Sequence, residues 1–285
     1  MNWLPIWDAF TGGVLRLFGF RPVWTQTAVG RVRSLVFEGG RGPDLVVLHG
    51  ISAHGGHFWM VLPFLRRSFR RIVVPDLPGH GASDVPEVMD ARALTVGLFE
   101  VLERLVEKPS IVYGNSLGAL AAFRYAQRRP ERVLALLLNS PGGAPESPAE
   151  LVAFVSRFQL KDRSDGARFF DNLHRRDTGI GWLLAGVIRR KVMAPNIQAL
   201  LRSITVKDLV TNEQVGALLM PVRLLWGRSD RLLPKHHFER WKEAMPVHAE
   251  VATPDMGHCP YLDTPSLLVD EIRSFATRTS RETGA

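Results

Sequence analysis

A single cysteine, Cys259, stands in a chain of 285 residues, so no disulfide can form within it and nothing demands an oxidising compartment. Cysteine and histidine never fall into the spacing of a zinc site, and the G-x-x-x-x-G-K-S/T phosphate loop is missing, so neither a metal nor a nucleotide cofactor is implied. Internal repeats and low-complexity tracts are also missing. Charge of both signs is plentiful, with a formal net of +8. The basic residues are scattered arginines without an RNA- or DNA-binding motif, which argues against nucleic acid and leaves an anionic membrane or simple solubility as their meaning.

What is present is a series of short apolar runs, each ending in a glycine-rich or polar turn. Asp44–Leu48 runs into His49-Gly50-Ile51, and Arg71–Val74 into Asp76-Leu77-Pro78-Gly79-His80-Gly81. Ser110–Tyr113 is followed by Gly114-Asn115-Ser116-Leu117-Gly118, and then by a small-residue helix from Leu120 to Ala126. Val222–Trp226 ends in Gly227-Arg228-Ser229-Asp230, and Val247–Ala252 precedes Met256-Gly257-His258-Cys259-Pro260. The spacing predicts a hairpin over 22–38 turning near Gly30, strands near 45, 72, 111 and 134, and helices at 57–67, 91–107 and 117–128. Strand and helix alternate, which means a mainly parallel sheet with helices on both faces. In such a sheet the ligand crevice lies beyond the carboxyl ends of the strands, where these polar turns converge.

GNSLG sits at a strand-to-helix junction, where a serine is held in a strained turn with its hydroxyl projecting. Together with the LHG and DLPGHG turns, WGRSD and MGHCP, it resembles the α/β-hydrolase superfamily over roughly residues 30–142 and 218–278. The resemblance implies an α/β-hydrolase fold with a helical cap inserted after the sixth strand, and a triad in the chain order serine, acid, histidine. Ser116 is then the nucleophile and His258 its base, because a serine hydroxyl needs a base of imidazole's pKa. Asp230 is the acid that fixes the imidazole tautomer; Asp255, three residues before His258, is its rival. Backbone N–H groups of Leu117 and of Ile51 or Ser52 form the oxyanion hole. His49 and His80 are expected to brace loops, Asp76 to hold its own turn, and Cys259 to be a small buried residue. His54, His57 and Trp182 are candidates to line the pocket.

Five segments follow: an amino-terminal amphipathic segment (1–21), a first part of the core (22–143), the cap (144–216), a second part of the core (217–278) and a flexible tail (279–285). Trp3, Trp7, Phe10, Val14 and Phe18 recur at helical spacing. The segment lacks a basic leader region, which disfavours a cleaved signal; it reads either as an interfacial helix or as one that packs on the cap. Within the cap, Trp182–Ile188 is apolar but too short to span a bilayer. Val187–Lys207 carries five basic residues, Arg189, Arg190, Lys191, Arg202 and Lys207, and no acid. That pairing fits either peripheral contact with an anionic membrane or a pocket wall beside a solvated face. A cytoplasmic enzyme, peripheral at a membrane in the first case, is the expected setting.

A serine at the elbow argues against the dehalogenases and epoxide hydrolases, which resemble this pattern with Asp in that place. The SPGGA turn, the cap length and the greasy amino terminus resemble the monoacylglycerol lipase and esterase branch, implying a small hydrophobic ester as substrate and no cofactor. Two other outcomes stay open. One is a meta-cleavage-type C–C hydrolase, with Arg124, Arg189 or Arg190 receiving a substrate carboxylate; the other is a non-catalytic receptor for a hydrophobic ligand.

Overall fold

The computed structural model describes residues 4–283, with side chains from 7 to 281. Eight strands form one sheet: β1 (Arg21–Thr27), β2 (Gly30–Glu38), β3 (Asp44–Leu48), β4 (Arg71–Pro75), β5 (Ser110–Asn115), β6 (Val133–Asn139), β7 (Val222–Leu225) and β8 (Glu250–Ala252). Their spatial order is β1-β2-β4-β3-β5-β6-β7-β8. The β1–β2 and β2–β4 pairs are antiparallel and the remaining pairs parallel. Every residue of β3, β4 and β5 is buried, as expected of parallel strands covered on both faces.

Strand parity divides the core. Val46, Leu48, Val112, Leu136 and Leu138 face one apolar cluster, whereas Leu45, Val47, Ile111, Tyr113, Ala135 and Leu137 face the other. The helices before the cap are α1 (Leu4–Leu17), α2 (Leu62–Leu65), α3 (Ala91–Leu105) and α4 (Leu117–Arg128). Five cap helices follow: α5 (Pro148–Ser156), α6 (Arg163–Leu173), α7 (Gly181–Val192), α8 (Pro195–Ser203) and α9 (Asn212–Gly216). The chain ends through α10 (Lys235–Ala244), α11 (Pro260–Asp263) and α12 (Pro265–Thr283). Helices α3, α4 and α10 cover the first face through Leu98, Leu102, Phe123 and Trp241, and α1, α2 and α12 the second through Leu15, Leu62, Leu268 and Ile272. Each such fully buried aliphatic side chain contributes about 1.5–3 kcal/mol. A third cluster, Phe158, Phe169, Val192, Ile197 and Leu201 with Leu232, holds the cap together.

Local chemistry sets the boundaries. Ser147 caps α5 in a reciprocal capping box with Glu150, and Pro148 occupies the first turn. Pro195, read from the sequence as a break, opens α8 for the same reason. The helix expected over 57–67 is instead a 3₁₀ turn at Gly55–Phe58 and the short α2. Pro63 has no N–H to give, and its ring would meet the carbonyl four residues back, so one helix cannot run through. Only Glu250–Ala252 of the strand expected over 247–252 pairs with the sheet. The polar tail expected from 279 continues α12 to Thr283, because Phe275, Ala276 and Thr279 keep one helical face buried.

Helix α1 lies against the Gly55–Phe58 turn, with Leu15 and Thr11 buried. Its Trp7 and Phe10 rings pack on Trp59, with centroids 6.0 and 5.6 Å away. Trp3, the first member of the expected stripe, lies outside the described residues. Among the described residues no helix is long and apolar enough to cross a membrane.

Candidate active site

Ser116 occupies the turn between β5 and α4 with φ 55° and ψ −117°, a conformation that side-chain-bearing residues avoid. The two motif glycines permit that turn. A Cβ on Gly114 would lie 2.3 Å from the Gly118 carbonyl oxygen, and one on Gly118 would lie 2.4 and 2.5 Å from the carbonyl oxygens of Leu48 and His49. The Ser116 N–H donates to Asn139 O at 2.9 Å, tying the elbow to the end of β6.

His258 and Asp230 arrive from the loops after β8 and β7. His258 Nδ1 is 2.8 Å from Asp230 Oδ2, and both side chains are buried. Asp230 Oδ1 accepts from the N–H groups of Leu232 and Leu233 at 2.9 and 3.0 Å. Burial pushes the Asp230 carboxyl upward, but His258 and the backbone donors outweigh it and hold the group below its ordinary pKa. An ionised Asp230 fixes the Nδ1–H tautomer and leaves Nε2 free to accept a proton. Asp255, the rival acid, pairs with Arg175 at 2.7 Å and Ser229 at 3.2 Å at the surface.

Asn115 was not singled out by its sequence position, yet it joins the parts. Its Nδ2 donates to the His258 carbonyl at 2.9 Å, and Cys259 Sγ lies 3.8 Å from its Oδ1. The residue before Ser116 thus holds the loop that carries His258. A polar residue at the end of an all-buried strand is the signal that could have found it. The cap is joined to the same loop, since Cys259 N–H donates to Leu173 O at the end of α6 at 2.9 Å. Burial pushes the Cys259 thiol up to about 12, so the residue acts as packing.

The His49-Gly50 turn abuts the elbow: a Cβ on Gly50 would be 3.3 Å from Ser116 Cβ. Ile51 and Ser52 follow directly, Ser52 with φ 59°. Leu117 is the first residue of α4, where an N–H has no acceptor within the helix. His49 Nδ1 donates to Gly50 O at 2.8 Å while its Nε2 accepts from Leu77 N–H at 2.9 Å, so it braces two loops in a fixed tautomer. His80 is buried with Nδ1 3.0 Å from Pro78 O. Asp76 accepts from Ala82 N–H in its own loop, and also reaches beyond it, accepting from Gly55 N–H in the 3₁₀ turn and pairing with Arg33 of β2 at 2.7 Å.

Two apolar cavities meet at Ser116. The larger, about 530 Å³, includes Trp7, Ser52, His57, Phe169, Leu184 and His258 in its wall. The smaller, about 400 Å³, includes Leu117, Leu120, Leu151, Phe154 and Leu200. Ile51 and Ser116 line both. His57 is therefore a wall residue, as the sequence suggested. His54 is a correction: Gly56 N–H donates to its Nδ1 and its Nε2 lies 3.1 Å from Asp8 Oδ1, so it anchors α1 from outside the cavity wall. Trp182 is a second correction. Helix α7 turns Leu184, Val187, Ile188 and Lys191 to the larger cavity, and Trp182, two residues before Leu184, falls about 200° around the helix. It is 58% exposed, with the Arg163 guanidinium 4.9 Å from its ring centroid. Lys191, by contrast, was read only as part of a basic run.

Among the described residues, Glu146, His236 and His237 form one group whose ligand atoms lie within 4.8 Å of one another. His237 Nε2 sits 2.5 Å from Glu146 Oε1, and this buried contact latches the start of the cap to α10.

Burial holds His49 and His57 well below the ordinary histidine range and lowers His80 and His237 as well. Below the unfolded histidine pKa of about 6.5 the unfolded chain binds more protons than the native one, so stability falls as pH drops. The depressed Asp230 adds a loss of the same sign below about pH 4. The melting temperature is expected to be lower at pH 5 than at pH 7.5 by several degrees, measured by differential scanning fluorimetry; a flat profile contradicts this.

The parallel sheet, the strained serine turn and the buried His–Asp pair define an α/β hydrolase. A model of the alpha/beta hydrolase family matches residues 45–271, and the chain belongs to that family. It is a hydrolase of the esterase type. The chain is 30% identical over 254 residues to a pimeloyl-[acyl-carrier protein] methyl ester esterase of Nitrosomonas europaea, covering 81% of this chain and 94% of that one. Among solved structures, a putative lipase from Acinetobacter baumannii aligns with a TM-score of 0.79 at 16% identity, covering 97% of each chain. The 2-hydroxy-6-oxo-6-phenylhexa-2,4-dienoate hydrolase of a Rhodococcus strain aligns at 0.75 and 20% identity, covering 90% of this chain and 98% of that one. At those identities the structural likeness is one of fold.

Proposed function

We propose that the protein is a serine carboxylesterase for esters with an apolar acyl group. Ser116 is the nucleophile, His258 the general base and then acid, and Asp230 the carboxylate that orients it; the N–H groups of Leu117 and Ile51 receive the oxyanion. The observation that carries this reading is that Ser116 stands at the junction of two apolar cavities, beside a buried His–Asp pair. An ester seated there has room on both sides of its scissile bond. Attack by Ser116 Oγ releases the alcohol, which takes its proton from His258; water deprotonated by His258 then frees the acid.

The direction of binding follows from who must touch what. The leaving oxygen has to reach His258, which lines only the larger cavity, while Leu117 and the apolar α4 residues line the smaller. The alcohol part therefore occupies the larger chamber and the acyl chain the smaller. Carbon–carbon hydrolysis is less well supported. Arg124 lines the smaller cavity, but its guanidinium is engaged by the carbonyls of Asp208 and Leu209, while Arg189, held by those of Leu160 and Lys161, and Arg190 line neither cavity. The relationship to methyl ester esterases supports an ester substrate rather than a monoacylglycerol in particular.

A series of p-nitrophenyl esters from acetate to palmitate tests the reading. Turnover is expected to peak at intermediate acyl length, where the chain fills the smaller cavity, and to fall at palmitate. No turnover at any length, with no labelling by a fluorophosphonate, would refute an esterase and favour a ligand receptor.

A further inference from the structure

We infer that Lys191 is a specificity-determining residue that receives an anionic group, a carboxylate or phosphate, carried by the leaving-group part of the ester. This rests on the esterase reading and on the alcohol part lying in the larger cavity.

The wall of that cavity is mainly apolar, built from residues such as Phe169, Phe170, Leu173, Leu184 and Ile188. Lys191 belongs to it, one turn beyond Val187 on the cavity-facing side of α7. Among the described residues Lys191 is the one lysine or arginine lining the chamber, a long aliphatic stem ending in a cation in an otherwise apolar wall. Burial lowers its pKa, which Asp8 partly restores. His57, which lines the same cavity, is itself held well below the ordinary histidine range by burial, by His54 and by Lys191.

Asp8 acts on the ammonium only from a distance. It lies 3.1 Å from His54 Nε2, and among the described residues Lys191 makes no hydrogen bond or ion pair with it. A cation withdrawn from water without a close partner is unfavourable, and the unfavourable term disappears when a ligand brings an anion to it. A neutral alcohol would gain nothing from this lysine. An alcohol ending in an anion would exchange water for a charge-assisted hydrogen bond in a chamber of low polarity.

Two butyrate esters of equal length test the inference: n-hexyl butyrate, and the analogue whose alcohol ends in a carboxylate in place of the methyl group. Wild-type enzyme is expected to favour the carboxylate ester by about tenfold in kcat/KM, the value of one charged hydrogen bond. In Lys191→Met the ratio of the two values should fall to about one, in Lys191→Arg it should persist, and in Lys191→Glu it should invert. The ratio, unlike either rate, does not change with the fraction of folded enzyme. A wild-type ratio near one, or a ratio that survives Lys191→Met, overturns the inference. A lysine-dependent preference for a carboxylate on the acyl chain instead would overturn the assigned direction. Failure of wild type to cleave either ester counts against the esterase reading, a result distinguishable from the others.

Discussion

Replacing Ser116 with alanine is expected to abolish labelling by a fluorophosphonate and to lower kcat on p-nitrophenyl butyrate by about three orders of magnitude or more. The remaining groups, the oxyanion donors and the two cavities, still bind the ester, so KM should move much less than kcat. Alanine keeps a Cβ at φ 55°, so the strain of the elbow stays and the fold is left as it was. Glycine at the same place removes both the nucleophile and the strain, worth about 1–3 kcal/mol. The glycine variant should therefore melt higher than wild type while being equally inactive. Near-normal turnover by either variant would remove Ser116 from the mechanism, and a glycine variant that melts lower than the alanine one would show that the elbow is not strained.

That double expectation also shows what a sequence conveys. The strand–turn–helix around Ser116 is legible because its requirements are steric and local: glycines at 114 and 118, an all-apolar β5, and small residues in α4. The alternation of strands with helices and the place of the cap are legible for a similar reason, since each apolar run is long enough for one buried strand and the rhythm breaks where the cap begins. Features set by tertiary contact were less accessible. Trp182 was misplaced because an apolar run does not say which helical face meets the cavity; the answer lies in the packing of α6 on α7. His54 was misplaced because its partner, Asp8, comes from a helix 46 residues away in the chain. Asn115 was not singled out, and Lys191 was read only as one of a basic run, because a polar residue beside a motif or a lysine among other bases has its usual explanation at hand. The 8% exposure of Ser116, opening to two chambers at once, is a property of the assembled cap and core that no single segment carries.

Asp230→Asn is the second large effect, and its reasoning is one of hydrogen-bond polarity. In the native site Oδ1 is committed to two backbone N–H groups, and Oδ2 faces His258 Nδ1 at 2.8 Å. An asparagine keeps its oxygen on the backbone donors, because turning the amide would set N–H against N–H. Its NH₂ then faces His258 and donates to Nδ1, which moves the imidazole proton to Nε2. A protonated Nε2 cannot take the proton from Ser116, so kcat should fall by about 10³–10⁴-fold although every atom stays close to its native place. Asp255→Asn offers the contrast. It loses an exposed ion pair with Arg175, a contact worth about 0–1 kcal/mol, and leaves the His258 tautomer alone. Its kcat should remain within about threefold of wild type, and the two variants compared on one ester decide between the acids. If Asp255→Asn were the more damaging, the proton on His258 would be governed from the surface side of its loop, and the buried 2.8 Å contact would be structural only.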